Sequence, residues 1–563
     1  MTIIRLLSGQ GANGIMEIQT LKKMEKKAMK SSGVDFMKMG VALLFMAAVL
    51  IYSFSTTGGI PNNTFLAIAA LFGAYMAMNI GANDVANNVG PAVGSKALTL
   101  GGAIAIAAIF ESSGALIAGG DVVKTIKKGI IDINAFGGDS EMFIWAMMAA
   151  LLSAALWLNF ATMMKAPVST THSIVGGVMG AGIAAAGFSI VAWSTMGKIA
   201  ASWIISPLLG GIIAALFLFA IKKTIVFKKD KIISAKKWVP VYVAIMAWAF
   251  TTYLTLKGLK KIWPNIVSFV NDTFIAILPI TKKPSFATAA IFGLIIAVIV
   301  YIFIRSRFTK TSKGLENSRA GVNTLFTIPL IFAAALLSFA HGANDVANAI
   351  GPLAAISDAV MSGGISSKAG IPIWVMAVGA IGISVGLALY GPKLIKTVGT
   401  EITELDQMRA FSVAMAAAIT VILASQLGLP VSSTHIAVGG VFGVGFLREW
   451  LDKYNKKDVI VHEKEIIVDE TKTLKAYNSE LEALELKEKK NKDNYKRIVA
   501  LYKLIDDEEA RIKEAKKVLK HAKKIEYVKR DAVKKIIAAW VITVPAAALL
   551  SAMIFFMIKG MLI

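Results

Sequence analysis

A sequence rich in carboxylate and amide side chains occurs twice in this chain of 563 residues. Residues 81–91 read GANDVANNVGP and residues 342–352 read GANDVANAIGP, identical at nine of eleven positions. Carboxylate, amide and carbonyl oxygens are the ligands that a hard cation such as Na⁺ prefers. The repeat therefore predicts a set of cation-binding residues: Asn83, Asp84, Asn87, Asn344, Asp345 and Asn348.

The spacing within each copy predicts how these side chains are presented. Asp84 and Asn87 are three residues apart, as are Asp345 and Asn348, so each pair projects from one helical face. The flanking glycines and the Gly-Pro pair at 90–91 and 351–352 favour broken helices that free backbone carbonyl oxygens. The alternative is structural, with the polar side chains capping helices and joining neighbouring spans.

A second pair of similar sequences is rich in hydroxyl groups. Residues 167–180 and 430–443 are identical at ten of fourteen positions, and each opens with a proline followed by hydroxyl side chains and a histidine. The N-terminus of a helix presents free N–H groups and positive potential, which suits an anion. The predicted anion-binding residues are Ser169, Thr170, Thr171, Ser432, Ser433 and Thr434. Helix capping by a single hydroxyl is the alternative.

Three further side chains could take part. His172 and His435 follow the hydroxyl residues. They lie in two predicted helical hairpins, the first at 142–193 (or two full spans) and the second at 410–447. Packing within the hairpins is favoured over proton transport, so the two histidines are accessory candidates. Glu111 is isolated in the apolar run 99–119, where it is either a cation or proton site or the partner of another buried polar group. No nucleotide-binding loop, histidine metal cluster or catalytic triad is recognisable, so neither enzymatic activity nor a cofactor is expected.

Long apolar runs must position these residues. The composition is 56% hydrophobic, and a helix needs about 20 apolar residues to cross a membrane. Such runs occur at 40–56, 64–82, 99–119, 142–164, 173–193, 198–221, 238–256, 286–305, 322–340, 372–391, 410–428 and 536–560. The chain is therefore predicted to be an all-α polytopic membrane protein. The net charge of +24 lies in loops and in one hydrophilic insert, which argues against nucleic-acid binding.

The basic clusters predict the orientation in the cell membrane. The positive-inside rule places the N-terminal tail and the insert 448–535 in the cytoplasm and the C-terminus outside. Two basic groups fall on the wrong side, namely Lys124, Lys127 and Lys128, and those in 257–261. No cleavable signal peptide is recognisable, so the first apolar run is expected to be a retained anchor. Translation could start at Met1 or Met16.

The same topology predicts two inverted repeats. The span that leads into Asp84 runs inward and the span that leads into Asp345 runs outward. Inverted repeats with broken helices and re-entrant hairpins are typical of secondary transporters. The opposite orientations are expected to bring the two Asp/Asn sequences and the two hydroxyl sequences together at the midplane of the membrane. The predicted segments are a basic tail (1–38), an extra span (39–63), repeat 1 (64–222), a linker with connecting spans (223–320), repeat 2 (321–447), the insert (448–535) and a C-terminal span (536–563).

The insert has its own pattern. It contains 25 Lys or Arg and 19 Asp or Glu residues, and apolar residues follow helical spacing from 495 to 535. This pattern predicts a helical, coiled-coil-like hairpin. The insert is either a solvated spacer or a regulatory or oligomerising segment.

With its doubled sequences at 81–87, 167–172, 342–348 and 430–435, the chain resembles the inorganic phosphate transporter (Pit) family. The resemblance covers 64–222 and 322–447 and implies symport of inorganic phosphate with Na⁺ or H⁺. It implies phosphate at the hydroxyl residues and cations at the Asp/Asn residues. Glu111 matches a Phe-Glu-Ser/Thr-x-Gly element of the family. Ala414 departs from it, because many members have a glutamate there, and this places the number of coupled cations in doubt.

The sequence is compatible with two other functions. The first is a permease for sulfate or another oxyanion within the same superfamily. The second is a phosphate-sensing membrane scaffold that signals through 448–535. The expected partners are phosphate, a monovalent cation and the lipid bilayer, and a homodimer is compatible with this architecture.

Overall fold

The computed structural model describes residues 35–562 apart from 165–167, 261, 274–282, 313, 365–369, 402–404, 456, 524–526 and 529. Every regular element in the described residues is a helix, and a single isolated bridge joins Ile131 and Val191. This confirms the predicted all-α class. The basic residues up to position 34 and Pro167 of the first hairpin sequence lie outside the described residues.

The helices of the described residues are numbered in chain order. Short 3₁₀ turns, Ile133–Phe136 and Phe188–Ile190, flank the first hairpin, and a π-helical turn, Lys222–Val226, follows α8. The α-helices are α1 Asp35–Thr56, α2 Asn63–Asn83, α3 Val85–Gly94, α4 Leu100–Ala118, α5 Gly120–Lys128, α6 Ser140–Met163, α7 Thr170–Ala186, α8 Trp193–Ile221, α9 Lys231–Lys257, α10 Trp263–Thr273, α11 Phe286–Thr311, α12 Arg319–Leu325, α13 Thr327–Ser362, α14 Ile373–Glu401, α15 Gln407–Gln426, α16 Ser433–Asn455, α17 Lys457–Glu485, α18 Lys492–Lys523 and α19 Arg530–Leu562.

Eleven helical segments of the described chain are long and apolar enough to cross a membrane. They account for every predicted run except 173–193, which falls on α7. This helix has 17 residues, or about 25 Å, which is less than the ~30 Å of hydrocarbon in a bilayer. It packs on α6, so close that a Cβ on Gly177 would lie 2.9 Å from Ala150 O. The geometry favours a helical hairpin over two full spans.

The two Asp/Asn sequences differ in how they interrupt a helix. In the first copy α2 ends at Asn83 and α3 begins at Val85, with Asp84 between them. In the second copy α13 runs unbroken from Thr327 to Ser362 and contains Pro352. The prediction of a broken helix is therefore wrong for the second copy. Pro352 removes one backbone hydrogen bond, but it lies in a stretch of α13 that is buried from Ala333 to Val360, where tertiary packing supports the continuous helix.

The glycines of these sequences permit close helix crossings. A Cβ on Gly81 would lie 1.9 Å from Ile383 O of α14, and a Cβ on Gly342 would lie 2.1 Å from Glu111 O of α4. The partner helices contribute glycines of their own, since a Cβ on Gly114 would meet Phe339 O at 2.0 Å. Small residues that let helix backbones touch are the usual basis of helix association in membranes. These contacts hold α2 against α14 and α13 against α4.

The variant Gly342→Ala is expected to lower the melting temperature of the detergent-purified protein. The added methyl group meets a backbone oxygen that cannot rotate away, and such overpacking usually costs about 1–3 kcal/mol. Gly101→Ala on α4 is the matched control, because nothing lies within 4 Å of its Cβ position. Equal melting temperatures for the two variants would contradict the role assigned to Gly342.

Four of the cations that depart from the positive-inside rule are paired with carboxylates. Lys124, Lys257 and Lys260 all lie within 4 Å of Asp121, at 3.6, 2.5 and 3.9 Å. Lys127 Nζ lies 2.7 Å from Asp358 Oδ2, and both side chains are buried. The carboxylates explain how the protein accommodates these cations, and the orientation of the chain stays a prediction.

The helix that follows each hairpin packs on the other hairpin. In α8, which follows the first hairpin, Pro207 O would lie 2.2 Å from a Cβ on Gly439 of α16. In α19, Ala548 O would lie 2.1 Å from a Cβ on Gly180 of α7. Each helix thus packs on the second arm of the other hairpin. The C-terminal span α19 is an integral part of the helical core, although it follows the insert in sequence.

Residues 442–531 form a separate compact unit. In it α17 and α18 pack as a helical hairpin around buried apolar side chains, among them Leu481, Leu501 and Ile512. Arg497 and Glu480 join the two helices by a pair of 2.8 Å hydrogen bonds. The helical hairpin predicted from the apolar spacing is present, while its cytoplasmic location stays a prediction.

Candidate functional site

All the residues predicted to bind ions are buried, and they converge from five places in the chain. The junction of α2 and α3 and the middle of α13 carry the Asp/Asn residues. The first turns of α7 and α16 carry the hydroxyl residues, and α4 carries Glu111. The buried residues are Asn83, Asp84, Asn87, Glu111, Ser169, Thr170, Thr171, His172, Asn344, Asp345, Asn348, Ser432, Ser433, Thr434 and His435.

Asp84 is the point at which both hairpins meet the first copy. Thr170 of α7 donates a 2.6 Å hydrogen bond to Asp84 Oδ2, and Thr434 of α16 donates a 3.0 Å bond to Asp84 Oδ1. Asn87 donates from Nδ2 to Thr434 Oγ1 at 2.9 Å. The first cation sequence and both hairpin ends are thus one hydrogen-bonded assembly.

Asp345 occupies the corresponding position in the second copy. Ser433 of α16 donates a 2.8 Å hydrogen bond to Asp345 Oδ2. Asn348 donates from Nδ2 to the hydroxyls of Thr170 and Thr171, at 3.1 Å each. Asn87 and Asn348 therefore each contact the hairpin of the other copy, which links the two halves of the chain across the site.

Asn83 and Asn344 bind the first arms of the hairpins. Asn83 Nδ2 donates to Thr162 Oγ1 of α6 at 2.8 Å, and Asn344 Nδ2 donates to Ser425 Oγ of α15 at 3.0 Å. These amide nitrogens hold the hairpins against the Asp/Asn helices. The amide oxygens of both residues are buried and have no hydrogen-bond partner among the described residues.

A histidine that the sequence did not single out lies at the centre of the carboxylates. His341 Nδ1 is 2.6 Å from Glu111 Oε2, and His341 Nε2 is 2.8 Å from Asp345 Oδ2. Ligand atoms of Asp84, His341 and Asp345 lie within 4.8 Å of one another. The sequence did contain a signal for His341. The residue before the repeated glycine is apolar in the first copy (Ile80) but is a histidine in the second (His341).

Glu111 is paired, as one of the two interpretations predicted. Besides His341, it receives a 2.8 Å hydrogen bond from Asn88 Nδ2 to Oε1. The chain Asn88–Glu111–His341–Asp345 runs through the interior and joins the two copies. Ala414, where the family pattern has a glutamate, is buried on α15.

The hydroxyl residues divide into two kinds. Ser169 and Ser432 are N-caps, and their side chains accept from the backbone N–H of His172 and His435 at 3.1 and 3.2 Å. The remaining four donate to protein acceptors, including Thr171, which donates to Val431 O at 2.9 Å. Helix capping, the alternative interpretation, is therefore present at one hydroxyl of each hairpin.

The two accessory histidines are packed in a row of aromatic rings. The ring centroids of His172 and His435 are 4.5 Å apart. His172 contacts Trp203 of α8 at 3.8 Å, and His435 stacks on Trp540 of α19 at 3.6 Å. The preference for packing over proton transport agrees with this geometry, although the rings pack between the hairpins and not only within them.

The chain is similar to known transport proteins. Residues 80–551 match a model of the phosphate transporter family. The match runs past the segments to which the resemblance was confined, and reaches into α19. A solved structure of a sodium-dependent phosphate transporter aligns with a TM-score of 0.67 and 30% identity, over 88% of this chain and 99% of that one.

Proteins with similar sequences carry names of the same kind. A Helicobacter pylori (strain J99) protein named "Putative phosphate permease" is 49% identical over 96% of this chain and 98% of its own length. A Haemophilus influenzae protein of the same name is 38% identical over 68% of this chain and 87% of its own. The chain therefore belongs to the phosphate transporter family, whose members are membrane transporters and not enzymes.

Proposed function

We propose that the protein imports inorganic phosphate across the cell membrane by symport with Na⁺. One observation carries the choice of a cation-coupled mechanism. Five buried acceptor oxygens of the assembly have no hydrogen-bond donor among the described residues: Oδ1 of Asn83, Asn88, Asn344, Asn348 and Asp345. An unsatisfied buried polar group costs about 1–3 kcal/mol, and a hard cation satisfies oxygens that lack a donor.

The carboxylates supply the charge that a cation needs. Asp84 and Asp345 lie one in each copy, so at least two monovalent cations can be held close to a carboxylate. Importing HPO₄²⁻ against an inside-negative potential of 100 mV costs about 4.6 kcal/mol, since each elementary charge costs about 2.3. Two cations cancel this term and a third adds driving force. The likeness to a sodium-dependent transporter supports Na⁺.

A proton is the second candidate for the coupling ion. It is favoured by His341, whose two ring nitrogens contact Glu111 and Asp345 in a fully buried position. A histidine between two carboxylates can take up and release a proton. The two candidates differ in the gradient that drives uptake.

The decisive experiment is uptake of radiolabelled phosphate into proteoliposomes with Na⁺ and pH gradients imposed separately. We expect uptake to follow the Na⁺ gradient and to resist a tenfold excess of sulfate. A carboxylate of Asp84, Asp345 or Glu111 can accept the phosphate O–H, whereas sulfate at neutral pH has no proton to donate. Uptake driven by the pH gradient alone would assign H⁺, and equal competition by sulfate would favour a general oxyanion permease.

The insert permits a separate test of the scaffold alternative. Residues 442–531 form their own compact unit, so a variant without 448–535 can retain the helices that carry the site. Phosphate uptake by that variant supports transport by the helical core alone. Wild-type protein that binds phosphate but never transports it would favour a sensor. The homodimer and the orientation of the termini stay predictions.

A further inference from the structure

The hydroxyl residues retain few donors for an anion. A hydroxyl has one O–H to donate. Thr170, Ser433 and Thr434 direct theirs at Asp84 or Asp345, and Thr171 directs its own at a backbone carbonyl. A phosphate dianion accepts hydrogen bonds, so it requires other donors. In each hairpin, the N-cap serine and the histidine three residues later are the side chains that still have a donor available for phosphate.

The histidines have donors without acceptors. Both ring nitrogens of His435 and Nδ1 of His172 are buried without a hydrogen-bond partner among the described residues. His435 is 1% exposed and His172 is 4% exposed. A neutral imidazole always carries one N–H, so either tautomer of His435 leaves that donor buried and unpaired. Each such group in a native protein requires an explanation, and a bound ligand is one.

The place where the rings meet is suited to an anion. His172 and His435 lie on the first turns of α7 and α16, and their contact shows that both rings face the seam between the hairpins. Helix N-termini favour negative charge. Neither ring is paired with a carboxylate in the described part of the chain, whereas Asp84, Asp345 and Glu111 lie together around His341. The carboxylate acceptors around His341 are thus separate from the imidazole donors of His172 and His435.

We propose that His172 and His435 donate hydrogen bonds to the transported phosphate at this seam, with the hydroxyls of Ser169 and Ser432 as the neighbouring donors. The carboxylates and the hydroxyls bound to them form the cation side of the site. Trp203 and Trp540 hold the imidazoles in place from outside the hairpins. This inference rests on the proposed transport of phosphate and identifies further residues that contact it.

The test uses variants that keep the ring and remove the donor. His172→Phe and His435→Phe preserve packing on the tryptophans but lose every N–H. Binding of inorganic phosphate to purified full-length protein at saturating Na⁺ is expected to weaken about tenfold for each, the effect of losing a hydrogen bond to a charged group. Na⁺ binding without phosphate should be unchanged. His435→Gln retains an N–H and should recover part of the affinity.

The matched control is His462→Phe on the exposed face of α17, which should bind phosphate as the wild type does. Phosphate affinity at the wild-type level in both hairpin Phe variants would overturn the inference. Equal losses of Na⁺ and phosphate affinity would also overturn it, because they would assign the rings to packing. Wild-type protein that binds no phosphate would instead refute the proposed function.

Discussion

Asp84→Asn is expected to reduce Na⁺-driven phosphate uptake at least about 100-fold in a protein that still folds. The Asp84 carboxylate accepts hydroxyls from both hairpins, at 2.6 and 3.0 Å. The amide removes the negative charge that we propose holds a cation, and it places an NH₂ group against a hydroxyl donor. Losing a buried charged partner costs about 3 kcal/mol, which corresponds to a factor of about 100.

Uptake into proteoliposomes at varied Na⁺ concentration measures this loss. Asp493→Asn, at an exposed position of α18, is the control and should transport normally. Asp345→Asn provides a comparison between the copies, since Asp345 also contacts His341 while no histidine precedes Gly81 in the first copy. Wild-type Na⁺ dependence in Asp84→Asn would exclude its carboxylate from the cation site.

His341→Leu is expected to destabilise the protein and to abolish uptake. The substitution leaves Glu111 and Asp345 buried without the group that lies 2.6 and 2.8 Å from them. Removing one partner from a buried charged pair costs about 3–5 kcal/mol. Thermal unfolding in detergent and phosphate uptake are the two measurements.

A second substitution distinguishes this electrostatic effect from loss of packing. Adding Glu111→Gln to His341→Leu removes one of the unpaired carboxylates and should recover part of the lost melting temperature. Strictly additive effects of the two substitutions would show that Glu111 and His341 are not coupled. Uptake should stay low in the double variant, because the connection between the two copies is missing.

The sequence predicted which segments meet in the site better than it predicted the hydrogen bonds between them. The duplicated Asp/Asn and hydroxyl sequences predicted that four segments meet, and they do so in the hydrogen bonds of Thr170 and Thr434 to Asp84. The assignment of cations to the Asp/Asn residues and of the anion to the hydroxyl residues stays a prediction. In the structure three of the six hydroxyls, those of Thr170, Ser433 and Thr434, donate to Asp84 or Asp345. Residue type indicates only that a hydroxyl can donate to an anion, because carboxylate and phosphate oxygens are both strong acceptors. Which of the two it contacts depends on the tertiary arrangement.

The helix breaks illustrate a similar limit. Gly342 and Pro352 suggested an interruption of α13, which is instead continuous. The glycine permits contact with the backbone of α4 at Glu111, a requirement that only the partner helix creates. Likewise, the sequence predicted α19 only as a C-terminal span outside the two repeats, whereas its contact with α7 makes it part of the helical core.

By itself, the sequence determined the all-α membrane class, the helical insert and the residues that must be buried together, because hydropathy and helical period are local properties of the chain. Only the tertiary structure decided which partner each residue takes. Thr434 and Asp84 are 350 residues apart, and His341 meets Glu111 across 230. Such contacts depend on how helices cross, and in a lipid-embedded core the crossings are set by close backbone packing at small residues.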